Sequence, residues 1–66
     1  MGPPFMRKLR LWRVETTHVA GYTAPCFYVF TEEKRREQAK AKAIEIAKSQ
    51  SRLADFPQYT FTAHEV

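Results

Sequence analysis

Two histidines, one cysteine and seven carboxylates are the side chains of this 66-residue chain that catalysis would have to use, and their spacing offers little. Catalysis needs a nucleophile, a base or a metal held in fixed mutual geometry. His18 sits in a stretch punctuated by Gly21 and Pro25, His64 in a separate alternating segment, and neither has a carboxylate at a motif spacing. Cys26 lies in an apolar run, where a thiol packs as a small hydrophobe. With the histidines it forms no C-x2-C or H-x3-H pattern, so a zinc site is not expected. Gly2 and Gly21 are the only glycines, which leaves no glycine-rich phosphate loop. The expectation is a protein that is not an enzyme, with no cofactor, no metal and no small-molecule substrate.

Recognition chemistry is better represented. Bases of single-stranded nucleic acid stack on aromatic side chains while lysines and arginines take the phosphates. Trp12, Tyr28 and Phe30 are the aromatic candidates, with Lys8, Arg10 and Arg13 as cations beside them. Lys34, Lys42, Lys48 and Arg52 make a second basic group, and either group suits an acidic protein as well as a phosphate backbone. The formal charge is +4, and residues 31–52 carry seven cations against four carboxylates. Lys42 with Glu45 and Glu45 with Lys48 interleave signs as a solvated helix face does, which weighs against a dedicated phosphate ridge. No RRM signature, helix-turn-helix or zinc finger is visible.

The elements that must position these groups follow from periodicity. Residues 8–17, KLRLWRVETT, alternate and favour a strand, although apolar residues fall on both sides: Leu9 and Leu11 on one, Trp12 and Val14 on the other. Either a bulge shifts the register near Trp12 or both faces of this strand have something to cover. Residues 18–25, HVAGYTAP, read as a wide hairpin loop of roughly eight residues. Residues 26–30, CFYVF, are a continuous apolar run, expected as a strand covered on both faces. Thr31 is an N-cap candidate, with Glu32 and Glu33 in the first helical turn where the macrodipole favours them. The helix is expected to reach residues 49–52, burying Ala39, Ala43, Ile46, Ala47 and Gln50, extended by Leu53 and Ala54, with Ile44 partly exposed. Pro57 closes that segment, and QYTFTAHEV alternates as a third strand.

The fold class predicted is α+β: a single two-layer β-β-α-β domain with a three-stranded, mainly antiparallel sheet and one helix on one face. Residues 1–7 read as a flexible leader or an added remnant preceding it. The favoured strand order is second-first-third, which keeps every neighbour antiparallel but leaves the apolar second strand at an edge. One helix covers only one face. Assigning Leu9, Leu11, Phe27, Val29, Tyr59, Phe61 and Ala63 to the helix leaves Trp12, Val14, Tyr28, Phe30, Thr60, Thr62 and His64 on the other. That second face would expose more apolar area than a soluble monomer usually shows. Trp12, Val14, Tyr28 and Phe30 are therefore the candidate partner or dimer interface. At this size a chain buries only about 60% of its unfolded surface, and a lone cysteine excludes an internal disulfide, so a homodimer is expected.

The strand FYVFTEE running into an alanine-rich helix, within a short basic chain, resembles in style the small accessory proteins encoded by bacteriophages, over residues 9–48. The resemblance implies a viral protein that binds and blocks or redirects a host protein, and it assigns no site residues. The expected function is a non-enzymatic binding protein that engages a protein partner through the open sheet face or the apolar edge, its basic flanks selecting an acidic partner. The alternatives are a single-stranded or non-specific nucleic-acid-binding protein and a structural assembly subunit. No apolar stretch approaches a membrane span, so no membrane partner is expected. A lone thiol in an apolar run fits a reducing, cytoplasmic setting, the host's if the protein is viral.

Overall fold

A computed structural model describes residues 9–53 and 55–66. In chain order the elements are β1 (Arg10–His18), β2 (Thr23–Thr31), α1 (Arg36–Ser51) and β3 (Tyr59–Glu65). The three strands form one antiparallel sheet in the order β2-β1-β3, with α1 against one face, so the α+β class and the favoured strand order both hold. Lys8, Ala54 and the expected leader lie outside the described residues.

β1 is the central strand, and its alternation decides what each face carries. Trp12, Val14 and Thr16 point to the helix and are each 0% exposed. This corrects the assignment made from the sequence, which put Trp12 and Val14 on the open face and Leu9 and Leu11 under the helix. Apolar residues of both parities made either choice possible, and the neighbouring strands settle it. Trp12 pairs with Val29, and Val14 with Phe27 on one side and Ala63 on the other, all on the helix side. The largest apolar side chain thus goes to the covered face, where it also finds an acceptor: its Nε1–H donates to Thr31 Oγ1 at 2.8 Å.

β1 itself runs without a bulge. The irregularity lies on its partner: between Val14↔Phe27 and Thr16↔Ala24, β1 advances two residues while β2 advances three. Pro25 and Cys26 together face Glu15, and the extra residue lets Ala24 and Phe27 share a face. The hairpin is also tighter than expected, with the turn confined to residues 19–22. The His18 amide donates to the Tyr22 carbonyl at 2.9 Å, and the Gly21 amide to the His18 carbonyl at 2.8 Å. Gly21 holds φ 103°, a value that a side chain would strain. The His18 ring stacks on Tyr22 at 4.5 Å and meets Tyr59 edge-on at 4.9 Å, while Nδ1 accepts the Ala20 amide at 3.0 Å. These ring contacts pull residues expected to be loop into the sheet.

The helix starts later than expected. Thr31 ends β2 and spends its hydroxyl on the indole, so it is not the N-cap. Arg35 holds that position with extended backbone and no side-chain cap. Ala39, Ala43 and Ala47, spaced by four, are fully buried against the sheet, with Ile44 and Ile46 packed at the margins of the core. Gln50, expected on this stripe, is exposed. Arg52 ends the helix in the left-handed region at φ 61°, its amide donating to the Lys48 carbonyl at 3.2 Å.

Two threonines are buried on the helix side, and they are not equivalent. Thr31 accepts the indole proton, whereas Thr16 Oγ1 has no partner among the described residues. A near-isosteric threonine-to-valine change should therefore act with opposite signs. Thr31→Val leaves the Trp12 N–H unpaired and should lower unfolding stability by about 1–3 kcal/mol, while Thr16→Val removes an unsatisfied hydroxyl and should raise it by about 1 kcal/mol. Urea denaturation followed by Trp12 fluorescence measures both; equal signs would contradict these packing roles.

Candidate interaction surface

With Trp12 and Val14 in the core, the uncovered face consists of the residues of opposite parity. β1 supplies Leu11, Arg13, Glu15 and Thr17; β2 supplies Tyr28 and Phe30; β3 supplies Thr60, Thr62 and His64. Cys26 is exposed there as well, its sulfur 3.7 Å from the Arg13 guanidinium.

The face is divided into two halves. At the end where β1 begins, Leu11 pairs with Phe30, and the Val66 amide donates to the Leu11 carbonyl at 2.9 Å, so the apolar row Phe30–Leu11–Val66 runs from β2 across β1 to the residue that follows β3. Leu9 and Tyr28 flank it. Leu9, Tyr28, Phe30 and Val66 are 56%, 65%, 64% and 72% exposed, so water meets most of this row. Toward the hairpin the face turns polar. Arg13 and Glu15, two residues apart on one strand and hence on one face, form an ion pair. The other Glu15 oxygen lies 3.4 Å from His64 Nε2. Arg13, by hydrogen bond and by charge, holds the Glu15 carboxyl below its usual range, and Glu15 in turn raises the Arg13 guanidinium.

Tyr28 and Phe30 thus stand where the sequence put them. The continuous apolar run does not have both faces covered, however: one side packs under α1 and the other is open. Leu9, Leu11 and Val66 join the surface unanticipated; the signal for Leu9 and Leu11 was their shared parity on β1 opposite Trp12. No aromatic from β1 is available for base stacking.

The basic candidates scatter. Arg10 lies on the helix side, where its guanidinium reaches Glu65 at 3.2 Å and the Lys34 carbonyl at 3.4 Å. Lys34 precedes α1 and so is not part of a helical ridge. Lys42 pairs with Glu45 at 3.4 Å, the Lys48 ammonium sits 5.8 Å from the centre of the Phe61 ring, and Arg52 is the C-cap. A feature the sequence reading missed is the clamp on Glu65. Arg36, at the start of α1, donates to it at 2.9 Å while its guanidinium stands 5.5 Å from the Trp12 ring centre. One carboxylate at the end of β3 thereby links β1, β3 and the start of the helix.

Among the described residues no group of three or more His, Cys, Asp or Glu side chains is arranged to hold a metal, and no helix is long and apolar enough to cross a membrane. No protein family, characterised protein or solved structure matches the chain.

Arg36 first, then Arg10, holds the Glu65 carboxyl below its ordinary value. A carboxyl lowered in the folded state stabilises fully above its unfolded pKa of about 4.3, and that contribution is lost as pH falls through the folded value. The stability gap between the parent and Glu65→Gln should therefore be present at pH 7 and shrink by pH 3. Urea midpoints at the two pH values test this; a gap that persists at pH 3 would mean the ion pairs do not supply it.

Proposed function

We propose that this chain is a small non-enzymatic binding protein that engages a protein partner through the uncovered face of its sheet. The observation that carries the reading is the exposed apolar row of Leu11, Phe30 and Val66 with Tyr28 and Leu9 beside it. Leu11, Tyr28 and Phe30 lie on regular strands, Leu9 and Val66 directly at strand ends; Leu11 is half-buried and the other four are more than half exposed. Such a patch, bordered by polar groups, has the layout of a protein interface: an apolar centre with a charged rim. The stoichiometric binding implied by the resemblance to bacteriophage accessory proteins agrees with this reading.

Charge does not support selection of an acidic partner at this face. Arg13 is engaged by Glu15, Arg10 by Glu65 on the other side of the sheet, and among the described residues the excess of cations belongs to the helical segment. The same placement weakens the nucleic-acid alternative, since Trp12 is buried and, among the described residues, the one arginine of the open face is paired with Glu15.

The test is capture from cell extract on immobilised protein, comparing the parent with Phe30→Asp. Phe30 is exposed, so the variant should keep its far-UV circular dichroism while losing specific captured proteins. An unchanged capture profile, together with self-association that Phe30→Asp does not alter, would overturn the reading. A labelled mixed-sequence single-stranded oligonucleotide at low salt provides the counter-test: no saturable binding that depends on Tyr28 or Phe30 is expected, and a response abolished by Tyr28→Ala would favour nucleic acid instead.

A further inference from the structure

We propose that the occupant of the open face is a second copy of this chain, packed sheet against sheet about the Leu11–Phe30 row; the proposal rests on reading that face as a protein-binding surface. Three observations converge on it.

The first is how little the monomer buries. Its core of described residues is one tryptophan, two valines and four alanines, thin even for a small domain. A second layer against the open face would give Leu11, Tyr28 and Phe30 the burial that α1 cannot provide.

The second is the placement of charge. The open face is close to neutral, its arginine already held by its own glutamate, so a like copy meets no repulsion there that the Arg13–Glu15 pair does not answer. Among the described residues the positive excess lies in the helical segment, where residues 31–52 carry seven cations against four carboxylates. In a sheet-to-sheet dimer the two helices lie on the outer surfaces, roughly 30 Å apart at about 10 Å per layer. That is several times the ~8 Å screening length at physiological salt, so the cations of one copy hardly oppose those of the other.

The third is area. Tyr28 and Phe30, at 65% and 64% exposure, present roughly 100–150 Å² each, and with Leu9, Leu11 and Val66 the patch reaches about 450 Å². Doubled across a two-fold axis this is about 900 Å², below the roughly 1,200 Å² of standard stable interfaces and in the range of weak, transient ones, as expected of a reversible dimer that forms in the micromolar range. Pairing β2 to β2 at the sheet edge would leave this patch in water, so edge association does not answer the same need.

Sedimentation or light scattering from about 1 to 200 µM provides the test. The parent should rise from the 7.7 kDa chain mass toward twice that value. Phe30→Asp and Leu11→Asp, checked for retained circular dichroism, should weaken association at least tenfold, and Lys42→Ala on the helix should leave it unchanged. Concentration-dependent protection of Cys26 from a maleimide reagent should accompany the mass change, since the thiol lies on the same face. A parent that stays monomeric to 200 µM, or a Phe30→Asp variant that still dimerises, overturns the second copy as occupant. If the parent is monomeric yet Phe30→Asp abolishes capture of a protein from extract, the dimer fails while the reading of the face survives. If the capture profile is also unchanged, both fail.

Discussion

A single indole has to be buried by a helix whose inward side chains are methyl groups. That constraint shapes most of the molecule. Ala39, Ala43 and Ala47 let the helix axis approach the sheet closely, and the space that remains is filled from below by Trp12, with Val14 and Val29 beside it. The Trp12 N–H cannot be left dry, so Thr31 must stand at the end of β2 rather than at the start of a helix. Helix onset at Arg36 is a consequence, and with it the position from which Arg36 reaches both the indole and Glu65. Because β1 commits one parity to this arrangement, Leu9 and Leu11 are committed to the other.

The charges follow the same division. Glu65 gathers Arg10 and Arg36 at the edge of the core, and Glu15 gathers Arg13 on the open face. Arginines that look like an exposed basic flank in the sequence are thus consumed within the fold. Among the described residues the other cations belong to α1 and the residues beside its two ends, so the positive excess there is separated from the apolar row.

Element types, their order and the sheet topology were legible because each rests on local periodicity or on a short list of allowed connections. The alternation of residues 59–65 and the alanine spacing in α1 could be read directly. Which face of β1 meets the helix could not, because Leu9 and Leu11 compete with Trp12 and Val14 at equal spacing, and only the register with Val29 and Ala63 decides. Thr31 misled for a related reason: a threonine before two glutamates has the local chemistry of a cap, but a buried indole nineteen residues earlier takes its oxygen. The Glu65 clamp and the His18–Tyr22–Tyr59 ring contacts depend on residues far apart in sequence, and no local pattern announces them. Tyr28 and Phe30 were found because β2 is apolar on both sides and a lone helix cannot serve two faces.

The extra residue at Pro25 and Cys26 has a consequence beyond register. β2 is a nine-residue outer strand rich in aromatics, the kind of border on which further chains can add one after another into a fibril. Pro25, third of the nine residues, offers no amide and sits at the shift of register, so the border is interrupted ahead of its aromatic run. A chain adding to that border would meet one absent amide and a broken register there, which works against growth by templating along β2.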